Sequence, residues 1–429
     1  MRLAVVGLGK LGSPMAALLA SVGNQVVGAD LNAHTVAAIN AGQASVTETG
    51  LPELMVKASP HLRATTNVED AVEDAEVVFR IVPTPSLPDS SFDTRFAEEA
   101  FEAIGRGFAR KNIGRRVAVL TSTVLPGATE ARVQPALERG SGAEVGERLG
   151  LCYSPEFIAL GSVLENMRRP DMVLMGASDT WAADMAIAAI KSVVELEVPV
   201  ALMSIVNAEM TKIAVNTFIT TKISYANMIG EMCERLVGAD ASVVTDAVGL
   251  DSRIGRKYLR PAAPYGGPCF PRDNAAFAGL ASSLGLTADI AVATESVNRR
   301  QLPALVEKVV AAVVPGSVVA VLGLTYKPAT PVSEAAFGTS AAAELVDRGF
   351  VVRVYDPGGP AGPPGVAMTA SLEEAIEGAE AVIVATPWPE FGAINHLDAA
   401  VLFDYWRIVP PAAISPRTLV VYPGVGPRP

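Results

Sequence analysis

The sequence predicts an α/β protein in which two doubly wound parallel-sheet units are joined by a long central helix and a helical region. Three observations carry this expectation: short apolar runs alternate with helix-like stretches at both ends of the chain, a glycine-rich turn follows the first run, and long helical periodicity without strand signals fills the middle. Arg2–Val6 is a short apolar run, residues 7–12 spell GLGKLG, and Gln25–Ala29 precedes Asp30, a strand, turn, helix and strand in succession. Further strands are expected at residues 77–82, 117–121 and 151–153. Helical periodicity runs from Ser204 to about Leu250 and resumes beyond a Pro/Gly-rich loop at residues 261–271. Strands then return at residues 317–322, at Val351–Tyr355 ending on Asp356, and at residues 381–385. The expected division is therefore 1–200, 201–305 and 306–429.

With 429 residues, half of them apolar and 18% charged, the chain is too long for one core and too apolar for disorder. A net charge of -11, with both signs interspersed, offers no basic face to nucleic acid. Mean hydropathy is positive at +0.34. Even so, Gly, Pro or charge breaks every apolar stretch short of the roughly 20 residues a bilayer span needs, so no membrane partner is expected. The opening 20 residues imitate a secretion signal, but Gly7, Gly9, Gly12 and Pro14 punctuate them as strand, loop and helix, and they read as mature structure. Cys152, Cys233 and Cys269 are an odd set without paired or metal-ligand spacing, which fits a reducing, cytoplasmic setting and no metal. His34, His61 and His396 stand in no motif, so a proton acceptor is sought among Lys, Asp, Glu or a thiolate.

GLGKLG gains force from its context, since a strand precedes it, a helix follows, and Asp30 closes the next strand. Gly7 permits the tight turn, Gly9 lets a pyrophosphate approach the backbone, and Gly12 lets helix pack on strand, a Rossmann-like dinucleotide site. The charge of Asp30 would accept ribose hydroxyls and repel a 2′-phosphate, so NAD is expected over NADP. The second α/β unit has GLTYKP in place of the full fingerprint and should not bind a dinucleotide in the same manner. Lys212 and Asn216 lie four apart among apolar neighbours, on one helical face; they are either a solvated stripe or a buried functional pair. In YGGPCFPRD, residues 265–273, paired glycines and two prolines shape an irregular loop around Cys269, with Asp273 four residues on. An inert buried cysteine is the alternative there, and it is the reading given to Cys152 and Cys233. Thr123 in STVLPG and Glu156 in SPEF stand at carboxyl ends of expected strands, where doubly wound sheets bind ligands. The basic cluster Arg110, Lys111, Arg115 and Arg116 reads as a solvated loop.

Taken in order, GLGKLG, the PTP of residues 83–85, STVLPG, SPEF, AEMTKIAVN, SRIGRKYL, YGGPCFPRD, TYKP and DYWR resemble the UDP-glucose/GDP-mannose dehydrogenase family along nearly the whole chain. The resemblance implies an NAD-binding domain, a central helical dimerisation and catalytic region, and a C-terminal nucleotide-sugar-binding domain. It implies Cys269 as nucleophile, Lys212 and Asn216 as oxyanion donors, Asp273 as partner of base or water, and Glu156 and Thr123 as residues that position or activate water. NAD would lie against Gly7, Gly9, Leu11, Gly12, Asp30, Pro83, Thr84, Thr123 and Glu156. The nucleotide sugar, on UDP, dTDP or GDP, would lie against Phe157, Lys212, Asn216, Tyr258, Gly266, Gly267, Tyr326, Lys327 and Arg407. Arg253 would reach the sugar nucleotide of a neighbouring subunit, which implies a homodimer or a higher homo-oligomer.

The sequence departs from the family pattern in three places. After Pro-Glu it reads Phe157, Ile158, Ala159, Leu160 and Gly161, without the usual charge; Ser333 stands before Glu334 where an Arg is usual; and Met228 follows Asn227 where the family has Glu after the long helix. The implied reaction is a four-electron oxidation of a C6 alcohol to a uronic acid through a Cys269 thiohemiacetal and thioester. A two-electron 3-hydroxyacid dehydrogenase, or a sensor that binds NAD or a nucleotide sugar without turnover, are the rival readings.

Overall fold

The computed structural model describes residues 1–158 and 160–427, so Ala159 of the departure after Pro-Glu lies outside the described residues. Contacts divide the chain into two units, Met1–Ala214 and Val215–Pro429.

In the first unit, strands β1 (Arg2–Val6), β2 (Gln25–Ala29), β3 (Leu62–Thr65), β4 (Val77–Arg80), β5 (Arg116–Leu120), β6 (Leu149–Tyr153), β7 (Val173–Ala177) and β8 (Val200–Met203) pair in the order β3-β2-β1-β4-β5-β6-β7-β8. Register sets Val5 of β1 between Gly28 and Phe79, and β7 runs antiparallel to β6 in an otherwise parallel sheet. Every residue of β4, β5 and β6 is buried, because helices cover both faces; a strand so placed is largely apolar on both sides, with Arg80 and Arg116 as charged ends. Those helices are α1 (Gly12–Ser21), α2 (Ala33–Asn40), α3 (Leu51–Ala58), α4 (Val68–Val72), α5 (Arg95–Ala109), α6 (Gln134–Ser141), α7 (Val163–Arg168) and α8 (Thr180–Lys191). Leu3, Val5, Phe79 and Val119 pack with α1, α3 and α8 on one face, while Ala4, Val6, Val78 and Leu120 pack with α5 and α6 on the other. Strand order reverses between β1 and β4, so their carboxyl-end loops flank the crevice that such sheets offer to ligands.

Helix α9 (Ile205–Cys233) begins in the first unit and continues into the second, followed by α10 (Ala241–Val248), α11 (Phe270–Ser283) and α12 (Asp289–Ala312). The second sheet comprises β9 (Val318–Leu322), β10 (Val351–Tyr355), β11 (Ala367–Met368), β12 (Ala381–Val384), β13 (Val401–Asp404) and β14 (Leu419–Val421), with α13 (Phe337–Asp347) and α14 (Leu372–Ile376). Its order, β11-β10-β9-β12-β13-β14, repeats that of the first six strands of the first sheet.

Three local expectations are corrected. Strand β6 begins two residues before the expected 151, because Gly150 lacks a side chain at a point where helix α8 presses close: a Cβ there would lie 2.5 Å from that of Ala182. Arg116 is no loop residue; it is buried in β5 and donates to the Glu73 and Lys111 carbonyls at 2.8 Å, while Arg110 and Lys111 pair with carboxylates of and just after α4. Asn227 and Met228 lie inside α9, not after it, and the buried Asn227 Oδ1 accepts from Ala262 N at 3.0 Å.

Candidate active site

The turn after β1 has the geometry its glycines require. Gly7 takes φ +94, in the left-handed region, and donates to Ala29 O at 2.8 Å. A Cβ there would lie 2.0 Å from Ile81 O, and one at Gly12 would lie 1.7 Å from Gly7 O, whereas one at Gly9 would meet nothing within 4 Å. Two glycines are thus consumed by packing and the third leaves open space, the cradle a pyrophosphate needs. Leu11 precedes α1 and no side chain caps that helix end, which suits an anion there. Asp30 is fixed by the turn it serves: Oδ2 accepts from Leu8 N at 2.7 Å and Oδ1 from Asn32 N at 2.8 Å. The residues present therefore fit a dinucleotide.

The loops after β4 and β5 are tied together. Thr84 Oγ1 donates to Thr123 O at 2.7 Å, and Ser122 Oγ donates to Val82 O at 2.6 Å beside Pro83. Arg80, fully buried at the end of β4, adds a bond from Nη1 to Ser122 Oγ at 3.3 Å, and burial pulls its guanidinium down to about 9. Sequence reasoning missed Ser122 and Glu209. The buried Glu209 carboxylate accepts from Gly127 N at 2.6 Å and Thr129 N at 2.9 Å, so it shapes the turn that follows Thr123; its position one turn before Lys212 was the available signal.

On α9, Lys212 is buried, donates from Nζ to Glu156 O at 2.7 Å, and sits 4.4 Å from the centre of the Phe157 ring. The alternative of a solvated stripe is excluded for this residue. Burial pushes the Glu156 carboxyl up to about 7, and the Lys212 ammonium opposes the rise.

In the second unit, one turn further along α9, the buried Asn216 donates to Asp273 Oδ2 at 2.6 Å. Arg272 donates from Nε and Nη2 to the other oxygen at 3.0 Å, so the buried carboxylate is held from both sides. Cys269 is exposed at the N-cap of α11, and Asp273 N donates back to its carbonyl at 2.8 Å. The loop before it is tight: a Cβ on Gly266 would lie 2.1 Å from Ala335 O, and one on Gly267 would lie 2.6 Å from the Tyr326 ring. Burial, with Cys269 and Tyr258 adding, pushes the Tyr326 hydroxyl up to about 12. Tyr258, at φ +63 and half exposed, meets Phe270 edge-on at 6.3 Å, and the half-buried Lys327 follows Tyr326 in the chain. Cys269, Tyr258, Gly267 and Tyr326 are thus neighbours, with the Asn216–Asp273 pair one helical turn beyond the thiol.

Two residues expected at the substrate have other partners. Arg407 grips Asp240, the N-cap of α10, with two bonds of 2.7 and 2.8 Å and lies over the Tyr422 ring, while the exposed Arg253 pairs with Asp251. The turn after β9 copies that after β1, for Gly323 N donates to Tyr355 O at 2.9 Å and a Cβ on Gly338 would lie 1.9 Å from Gly323 O. Its acid is spent internally, however. Asp356 is buried, Oδ2 accepts from Leu324 N, Thr325 N and Thr325 Oγ1 at 2.6 to 2.9 Å and Oδ1 from Gly358 N at 2.7 Å, whereas Asp30 is only half-buried.

Comparison with known proteins agrees with this arrangement. Residues 1–194, 206–300 and 320–411 match, respectively, the NAD binding domain, the central domain and the UDP binding domain of the UDP-glucose/GDP-mannose dehydrogenase family. The chain is 35% identical to the UDP-glucose 6-dehydrogenase AglM of Haloferax volcanii over 95% of its own length and 97% of that protein's. It is 31% identical to the GDP-mannose 6-dehydrogenase of Azotobacter vinelandii over 83% of its own length and 81% of that protein's. Among solved structures, that of a UDP-glucose dehydrogenase from Pyrobaculum islandicum superposes with a TM-score of 0.87 at 34% identity, covering 98% of this chain and 96% of that one. The chain belongs to the UDP-glucose/GDP-mannose dehydrogenase family, and NAD is its cofactor.

Proposed function

We propose that the protein oxidises the C6 alcohol of a UDP-glucose-like nucleotide sugar to the uronic acid, through a covalent intermediate on Cys269. The observation that supports this most is the exposed thiol at the N-cap of α11, followed one turn later by a buried carboxylate that Asn216 and Arg272 hold in place. NAD, when bound, supplies the hydride acceptor, and two equivalents are consumed in turn. The C6 hydroxyl gives its proton to a water held by Asp273 as its hydride leaves, and the Lys212 ammonium and Asn216 donate to the oxygen on which charge gathers. The Cys269 sulfur then bonds to the aldehyde carbon, the thiohemiacetal loses a second hydride and a proton, and a thioester remains. Water, placed by Thr123, breaks the carbon–sulfur bond and gives its proton to Glu156, which a carboxyl near 7 is suited to accept.

In this scheme residues 1–200 hold NAD through Gly7, Gly9, Leu11, Gly12, Asp30, Pro83 and Thr84, while residues 201–305 carry catalysis and dimerisation. Residues 306–429 bind the nucleotide through Tyr326, Lys327 and Arg407, with Phe157, Tyr258, Gly266 and Gly267 at the sugar nucleotide and Arg253 serving a neighbouring subunit. A homodimer is supported by apolar side chains left exposed on the helical region, among them Phe218, Met232, Val243, Leu250 and Ile290. A cytoplasmic location rests on cysteine usage; separately, no described helix is long and apolar enough to cross a membrane.

The test is a panel of UDP-, dTDP- and GDP-sugars with NAD, counting NADH against product, in wild type and Cys269→Ser. Two NADH per uronate are expected, with no acid from the variant. Acid release by Cys269→Ser at the wild-type rate overturns the covalent scheme, and one NADH per substrate marks a two-electron dehydrogenase instead.

A further inference from the structure

The loop that carries the thiol is gripped from a side that the proposed chemistry does not use. Asn298 of α12 clamps the backbone of Tyr265 at both ends, accepting from Tyr265 N at 2.9 Å and donating from Nδ2 to Tyr265 O at 3.0 Å. One turn earlier on α12, Glu295 accepts from the Tyr265 hydroxyl at 2.6 Å and is itself held by Arg299 Nε at 2.7 Å. Tyr265 is buried, so its own bonds to Asn298 and Glu295 are partly shielded from competing water. Helix α12 is in turn tied to α9: Ser224 Oγ donates to Thr294 O at 2.9 Å, and Thr221 Oγ1 lies 3.2 Å from Thr294 Oγ1. The same α9 carries Asn216. Opposite the clamp, Gly267 N donates to Glu334 O at 3.1 Å, and Gly266 leaves no room for a side chain.

We propose that Asn298 and Glu295 are positioning residues. Through Tyr265 they set the register of the loop at residues 265–269 and hence where the Cys269 sulfur stands relative to the Asn216–Asp273 pair. Neither residue touches the reacting atoms. A carboxamide is suited to the task because one flat group satisfies an N–H and a C=O of the same residue, as a strand partner would. Since displacing a reacting atom by about 1 Å can cost roughly 100-fold in rate, loosening this clamp should weaken thioester formation more than ligand binding.

The inference rests on the proposed role of Cys269, so its test includes a reading that needs no turnover. In the intact enzyme, Asn298→Ala, Tyr265→Phe and Glu295→Gln are compared with wild type for the rate at which iodoacetamide alkylates Cys269, located by peptide mass. They are also compared for the ratio of aldehyde to acid released and for the KM of NAD. For Asn298→Ala, alkylation slowed about ten-fold, a product shift toward aldehyde and a KM for NAD within about two-fold of wild type are expected. Tyr265→Phe should show the same changes more weakly, and Glu295→Gln, which keeps an acceptor for the hydroxyl, should restore most of the wild-type behaviour. Wild-type alkylation and product ratio in folded Asn298→Ala overturn the inference. If that variant does not fold, wild-type values in Tyr265→Phe overturn it instead. Acid formation by Cys269→Ser would sink the proposed function itself, whatever the alkylation rates show.

Discussion

Asn216 donates its carboxamide to Asp273 across 2.6 Å, and both side chains are buried. The bond aims one amide hydrogen at the carboxylate; in the proposed scheme the other donates to an oxygen of the substrate. Asp273→Asn would set donor against donor at this contact. We expect a stability loss of about 1–3 kcal/mol, from a buried group left unsatisfied. Turnover should fall by about 100-fold or more, on the scale of one lost oxyanion donor. Urea unfolding and NADH release measure the two effects, and an unchanged turnover would remove Asp273 from the reaction.

Glu156 predicts a pH dependence with a definite sign. Its carboxyl is raised to about 7 by burial, with Lys212 opposing. The folded protein therefore holds a proton that the unfolded chain, with a Glu near 4.3, has already released. Its contribution to stability declines as pH rises between those two values and is level above the upper one. Acid formation, which needs the carboxylate, should instead rise with pH through the same upper value. Glu156→Gln should flatten both trends while sparing the first hydride transfer; urea midpoints at stepped pH and single-turnover kinetics decide it. Unaltered pH profiles in the variant would exclude Glu156 as the water-activating base.

The glycines of the first turn should separate folding from cofactor binding. A methyl on Gly9 meets nothing within 4 Å, whereas one on Gly12 falls 1.7 Å from Gly7 O. Gly9→Ala should leave stability within about 0.5 kcal/mol of wild type. It should raise the KM for NAD about ten-fold, corresponding to about 1.4 kcal/mol of lost binding. Gly12→Ala should destabilise by about 1–3 kcal/mol, because the backbone must shift to admit it. Thermal unfolding with and without NAD reads both, and an unaffected KM in Gly9→Ala would contradict the cradle.

Phe218 on α9 is 66% exposed and Ile290 on α12 is 70% exposed, and both belong to the apolar set that the proposed homodimer would cover. If the homodimer proposed above buries these side chains, Phe218→Glu with Ile290→Asp should run as a monomer on light scattering, where wild type runs as a dimer, while the far-ultraviolet spectrum stays native. An unchanged mass would place the subunit contact elsewhere.

Much of the fold was legible because the relevant signals are local. Arg2–Val6, Gln25–Ala29 and Val351–Tyr355 are strands with the bounds read from their apolar runs. Gly150 hid the start of β6, since a strand glycine reads as a break unless the closeness of the helix above it is known. Arg116 misled for the opposite reason: a charged residue reads as exposed, and only the carbonyls of Glu73 and Lys111, far off or in the preceding loop, make its burial tolerable.

Sequence alone determined the two alternating sheet patterns, the cofactor turn and the identity of the thiol loop. Each depends on residue type at short spacing, where a missing Cβ or a fixed proline ring has only one structural use. Tertiary structure decided the partners: Asn216 with Asp273, Lys212 with the Glu156 carbonyl, Arg407 with Asp240 and Asn298 with Tyr265. Those bonds join residues far apart in the chain, and burial, full for Asn216–Asp273 and partial for the rest, strengthens them. Spacing along a sequence carries neither the proximity nor the exclusion of water that makes such pairs matter.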